Sequence, residues 1–138
     1  MALLKKIRQL EAFINQEVEL FLKMLERTTI DIYLADPILR RAIDKSLNDI
    51  ILACIDIAVI LIRIKKHVIP KTYKEIILST YEFIGELALK IAPLVVCRNE
   101  AIHGYLKINW NNVKTVQNAK DDILSYMRKI VCIAEAEV

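Results

Sequence analysis

Two glycines and three prolines are all that this chain of 138 residues offers for tight turns, and that shortage constrains its fold more than any other feature. Hairpin turns and phosphate-cradling loops rely on glycine where φ is positive, so there is little room for either. Leu, Ala, Glu, Lys and Ile are plentiful by contrast. The expectation is an all-α, single-domain helical bundle over residues 1–138, with about five to six helices. A chain of this length encloses a core without disulfides or metal staples.

The apolar spacing places the helices. Leu3, Ile7, Leu10, Ile14, Val18, Phe21 and Leu25 step by three and four, the stripe of an amphipathic helix. Lys5, Glu11, Glu17 and Lys23 fall off that stripe. Residues 28–35 form a short helix or turn. Asp36-Pro37 then restarts the chain, with Asp at the N-cap and Pro in the first helical position. A long helix follows to about Lys66, ended by His67 and Pro70. Residues 50–62 within it are apolar on nearly all sides, which predicts a central helix covered on several faces. Thr72 caps a shorter helix through about Ser79. Another begins near Tyr81 to Phe83 and runs toward Gly104, with Pro93 kinking or restarting it and Gly104 placed for a left-handed cap. Asn109 caps a last helix on Val113, Val116, Ile123, Met127, Ile130 and Ala134.

The hydrophobic fraction is 55% and mean hydropathy is positive, high for a lone monomer, which points to apolar surface hidden in a homodimer. A net charge of +3 permits an RNA partner without arguing for one. Cys54, Cys97 and Cys132 are scattered and odd in number, the pattern of reduced, mostly buried thiols in a cytoplasmic protein. Met1-Ala2-Leu3-Leu4-Lys5-Lys6 opens straight into a charged amphipathic pattern and does not read as a secretory leader. The apolar run at 50–62 contains Asp56 and falls short of the roughly 20 residues of a membrane span.

Chemistry concentrates in Cys97-Arg98-Asn99-Glu100-Ala101-Ile102-His103-Gly104-Tyr105. At about 100° per residue, Asn99 and His103 lie about 40° apart on one helix face, where the Asn amide can fix the imidazole tautomer. Arg98 and His103 diverge by about 140°, so on one helix they do not converge on one atom. A two-fold axis solves that problem, because both copies of each residue then line one cleft. Attack of a 2′-hydroxyl on RNA needs a base for that hydroxyl and an acid for the leaving oxygen. Two His103 side chains supply both, each step worth roughly 100- to 10,000-fold. The planar fork of Arg98 suits the phosphate. A helix C-terminus favours protonated His103 and nearby Arg98 disfavours it, which balances its pKa near neutrality.

Arg98-Asn99, three residues, His103, one residue, Tyr105 resembles the Arg-x4-His-x-Tyr signature of the HEPN superfamily, specifically its minimal HepT-like ribonuclease toxins. The stretch 38–47 (Ile-Leu-Arg-Arg-Ala-Ile-Asp-Lys-Ser-Leu), the segment 53–58 (Ala-Cys-Ile-Asp-Ile-Ala) and Pro70-Lys71-Thr72-Tyr73 are similar to that family in the same order. The likeness covers most of the chain. It implies a dimeric bundle that cuts RNA with no cofactor and no metal, with Arg98 and His103 catalytic. It also implies a minimal nucleotidyltransferase antitoxin of the MntA type that attaches AMP to Tyr105, otherwise an RNA contact, so that bulk and negative charge block the site. Val96-Cys97, where family members often carry Gly-Phe-like residues, and Pro93 depart from the pattern. The alternative is a non-catalytic nucleotide- or partner-binding module that docks the nucleotidyltransferase.

Glu100-Ala101-Ile102-His103 also matches the Glu-x-x-His half-site of di-iron bundles, but His67 has Ile64 three residues before it, so no second half-site exists. Asp56 reads in two ways, as a structural hydrogen bond to a neighbouring helix or as the group that orients Arg98 from below. His67 reads as a solvated helix end. Arg63, Lys65, Lys66 and Lys71 read as a solvated charge run, Cys97 as a buried thiol, and Trp110 as packing rather than base stacking.

Overall fold

A computed structural model describes residues 2–103 and 109–137, with the backbone alone described for 99–103. Nine helical segments appear among them: α1 (Ala2–Leu25), α2 (Ile30–Ala35), α3 (Pro37–Ile64), α4 (Tyr73–Ser79), α5 (Tyr81–Ile84), α6 (Leu87–Ile91), α7 (Leu94–His103), α8 (Trp110–Asn118) and α9 (Lys120–Ala136). The all-α expectation holds, and the described residues contain no strand.

The α3 helix begins where Asp36-Pro37 places it, with the Asp36 carboxylate accepting from Leu39 N–H at 3.1 Å. It runs to Ile64 and leaves through Lys66, whose φ is +59°. α1, α2, α4, α7, α8 and α9 all pack against it. That coverage explains why Ile50, Ile51, Cys54, Ile57, Ala58, Ile60 and Leu61 are all buried. α1 lays Ile7, Ile14, Val18, Phe21 and Leu25 against α3 and α9. α9 closes the bundle with Ile123, Tyr126, Met127, Ile130, Val131 and Ala134. Tyr126 carries its hydroxyl into this core and meets the Thr80 hydroxyl at 2.9 Å, which satisfies both buried groups.

Two helices are more divided than the periodicity predicts. The stretch from Tyr81 toward Gly104 breaks at Pro93, as expected, and again at Gly85. Gly85 has φ +76° and ψ −144°, a conformation that side-chain-bearing residues rarely adopt. The last helix divides at Ala119 into α8 and α9 although its predicted apolar positions are all buried. No helix among the described residues is long and apolar enough to cross a membrane.

One stripe of α3 stays uncovered. Lys45, Asp49, Leu52, Asp56, Val59 and Arg63 recur at steps of four and three and are exposed or half-buried. Asp56 is therefore exposed, not enclosed by the apolar run that surrounds it in sequence. The run is buried on the other faces of the helix, and Asp56 falls on the face that no helix covers.

Candidate functional site

The site is built from α7 outward. Pro93 has no N–H and cannot continue α6, so the chain turns at Ala92-Pro93 and α7 starts at Leu94. Leu94, Val95 and Cys97, each at most 5% exposed, seat this helix on the core, mainly against α3. Val96 faces outward. Arg98 comes one turn after Leu94 and is half-buried at the edge of that packed face.

Two other elements reach toward Arg98. Its guanidinium carbon lies 5.1 Å from the centroid of the Tyr73 ring, within cation–π range. Tyr73 is the first residue of α4, and the Thr72 hydroxyl caps that helix by accepting from Glu75 N–H at 3.2 Å. From α3, Asp56 feels the charges of Arg98 and of Lys6 on α1. Loss of water around the Asp56 carboxyl raises its pKa, and the two cations oppose that shift without cancelling it. The Arg98 Nε is enclosed with no hydrogen-bond partner among the described residues.

Of the residues singled out in the sequence, the structure brings Arg98 and Asp56 into one electrostatic neighbourhood. Asn99 and His103 share α7 with Arg98 by backbone, but their side chains are not described. Tyr105 and the Gly104 cap lie outside the described residues. Tyr73 joins the site without a signal from spacing, since nothing in the spacing of residues ties α4 to α7, and Lys6 of α1 acts on Asp56.

The chain re-enters the description at Asn109, which is 4% exposed. Its side chain was expected to cap α8, and it makes no capping bond. It engages the Asp44 carboxylate instead, which also accepts from the Tyr33 hydroxyl at 2.6 Å. Burial, then the bond to Asp44, holds the Tyr33 phenol well above its ordinary range. Burial likewise raises Asp44 against these hydrogen bonds. Trp110 packs its ring 5.2 Å from that of Tyr33, so it serves packing, as expected. This knot fixes where the chain returns after the motif.

Other candidates resolve into structure. His67 sits at the exit of α3 with Nδ1 3.7 Å from Glu82 and its ring edge-on to Phe83. Lys65 is paired with Glu137. A groove of about 760 Å³ lies on another face between α1, α5 and α9, lined by Phe83, Leu124, Arg128 and Lys129 among others, and no motif residue borders it.

Compared with known proteins, the chain matches a family model described as Ribonuclease HepT-like over residues 4–130, a range that includes α3, α4 and the whole motif. No curated protein and no solved structure matches it.

Proposed function

This chain belongs to the HepT-like ribonuclease family of the HEPN superfamily, and on that premise we propose that it is a metal-independent RNA-cleaving toxin of a toxin–antitoxin pair. It acts in the cytoplasm as a homodimer of one-domain subunits. The observation that carries this reading is the setting of Arg98. It is a half-buried guanidinium held over an aromatic ring, with no ion pair to a carboxylate among the described residues, so its charge stays available for a phosphate.

The chemistry assigned to the cleft is transesterification. One His103 takes the proton of the 2′-hydroxyl as its oxygen attacks phosphorus. The bond from phosphorus to the 5′-oxygen breaks, and the second His103 protonates that leaving oxygen. A 2′,3′-cyclic phosphate results. Arg98 stabilises the charge that grows on the phosphoryl oxygens, Asn99 orients His103, and Asp56 steadies Arg98 from α3. Tyr105 contacts RNA and is the residue to which a minimal nucleotidyltransferase antitoxin attaches AMP.

The dimer is needed because Arg98 and His103 diverge on one helix. The uncovered stripe of α3 supports it, with Leu52 and Val59 lying between charged residues. Beside that stripe, Leu10 and Phe13 of α1 line the same shallow groove as Leu52, Ala53 and Asp56, and Phe13 is 42% exposed. A seam of this composition on a monomer is ready for a self-complementary contact.

The test is cleavage of mixed RNA by purified protein in EDTA beside Arg98→Ala and His103→Ala, with intact mass confirming an unmodified Tyr105. The reading predicts cleavage by the wild type and a loss of 100-fold or more, as an order of magnitude, in each variant at unchanged dimer mass. An unmodified wild type that cuts no RNA contradicts it and favours a non-catalytic module that docks the nucleotidyltransferase.

A further inference from the structure

We propose that Tyr73 is a positioning residue for Arg98, holding the guanidinium in place by its ring face so that the full positive charge is kept for the RNA phosphate. The proposal rests on the ribonuclease reading given above and goes beyond the motif, which runs from Arg98 to Tyr105 and contains no residue of α4.

A half-buried arginine that must meet a phosphate faces a conflict. A long side chain has to be fixed in one rotamer, and the usual partner for that is a carboxylate in a hydrogen-bonded pair. Such a pair spends the charge and the planar donors that the phosphate requires. An aromatic face resolves the conflict. It attracts the cation through the ring quadrupole, accepts none of the in-plane N–H groups, and leaves the net charge at +1. Arg98 has this arrangement. Its guanidinium carbon is 5.1 Å from the Tyr73 centroid, and among the described residues Asp56 acts on it as a nearby charge, with no ion pair or hydrogen bond between them.

The position of Tyr73 fits this role better than a packing role. It is 43% exposed and is not part of the buried core. Among the described residues its hydroxyl has no hydrogen bond, and its ring faces the guanidinium. The ring is also well anchored for its purpose. Tyr73 opens α4, the Thr72 cap fixes that first turn, and Ile76 and Ile77 in the next turn are buried. A rigid helix start therefore presents the ring to α7, and both helices rest on α3. Asp56 of α3 supplies a negative charge nearby.

The test is a binding cycle in a His103→Ala background, which prevents turnover, using a single-stranded RNA oligonucleotide of mixed sequence as the probe. Cation–π contacts of this kind correspond to roughly a 3- to 30-fold effect. With Arg98 present, Tyr73→Leu is expected to weaken RNA binding by about that factor, and Tyr73→Phe, which keeps the ring, to stay within about twofold of its parent. With Arg98→Ala, adding Tyr73→Leu is expected to change the affinity by less than about twofold, because the residue acts through Arg98. The Arg98 Nε–H resonance supplies a readout that needs no RNA. It should shift when the ring is lost in Tyr73→Leu and stay close to its original position in Tyr73→Phe.

An equal loss from Tyr73→Leu in both backgrounds overturns the proposal, as does a Tyr73→Phe protein that binds as poorly as Tyr73→Leu. If Arg98→Ala costs RNA affinity but Tyr73→Leu does not, this proposal alone fails. If Arg98→Ala binds RNA as tightly as its parent, the phosphate role of Arg98 fails and takes this proposal with it.

Discussion

Asp44 and Asp56 both hold their protons more tightly than an ordinary carboxyl, and in both cases loss of water outweighs the neighbouring cations and donors. The consequence for stability has a definite sign. The unfolded value lies near 3.8, and the folded value is higher, so folding favours the protonated form. Stability from this source is complete below the unfolded value and is lost as pH rises through the folded one. Asp44→Asn retains an acceptor for the Tyr33 hydroxyl and removes the ionisation. Its melting temperature relative to wild type should therefore improve between pH 4 and pH 7 in thermal melts, and a constant difference would contradict the assignment. Tyr33→Phe leaves the Asp44 carboxylate with one donor fewer and should destabilise by about 1–3 kcal/mol in urea titrations at pH 7. At this scale the sequence was informative where chemistry is written in one segment. Arg98, Asn99 and His103, the proposed site residues, stand out in the sequence because they share one segment and lie on one helix. Tyr73, Tyr33 and Asp44 do not, because tertiary packing alone brings α2, α3 and α4 to the motif and its return. Asp56 was legible as the one charge in an apolar run, but its exposure depends on which face of α3 remains uncovered.

The elements follow local signals where those signals are steric. Asp36-Pro37 and Thr72 mark the starts of α3 and α4, and Pro93 marks the restart of α7, because caps and a missing N–H act within a few residues. Asp36→Ala should cost about 1 kcal/mol through the lost bond to Leu39 N–H, measured by urea denaturation. The breaks at Gly85 and Ala119 were hidden, since each lies inside an apolar pattern that continues with helical spacing on both sides. Gly85 is decided by backbone conformation. A Cβ added there would meet nothing within 4 Å, so Gly85→Ala should destabilise by about 1–2 kcal/mol through its positive φ alone. A neutral Gly85→Ala would show that the turn between α5 and α6 tolerates a different φ.

For the molecule as a whole, helix spacing and composition were enough to predict an all-α bundle around a central α3, because a chain so poor in glycine and proline has few other ways to bury its apolar residues. What they could not supply was the shape of the remaining surface, on which the proposed cleft depends. Leu52→Glu, on the uncovered stripe of α3, should yield a folded monomer by sedimentation with little cleavage activity, since a charge on the seam opposes self-association while the core stays intact. A dimer of undiminished activity would place the two-fold axis elsewhere. The central claim is that His103 passes protons in attack by the RNA's own 2′-hydroxyl. The most direct test is the mass of the 3′ ends produced from a defined RNA in EDTA, wild type beside His103→Ala. The account predicts 2′,3′-cyclic phosphate ends from the wild type and almost none from the variant. Ends bearing a 3′-hydroxyl, or equal cleavage by His103→Ala, would contradict it.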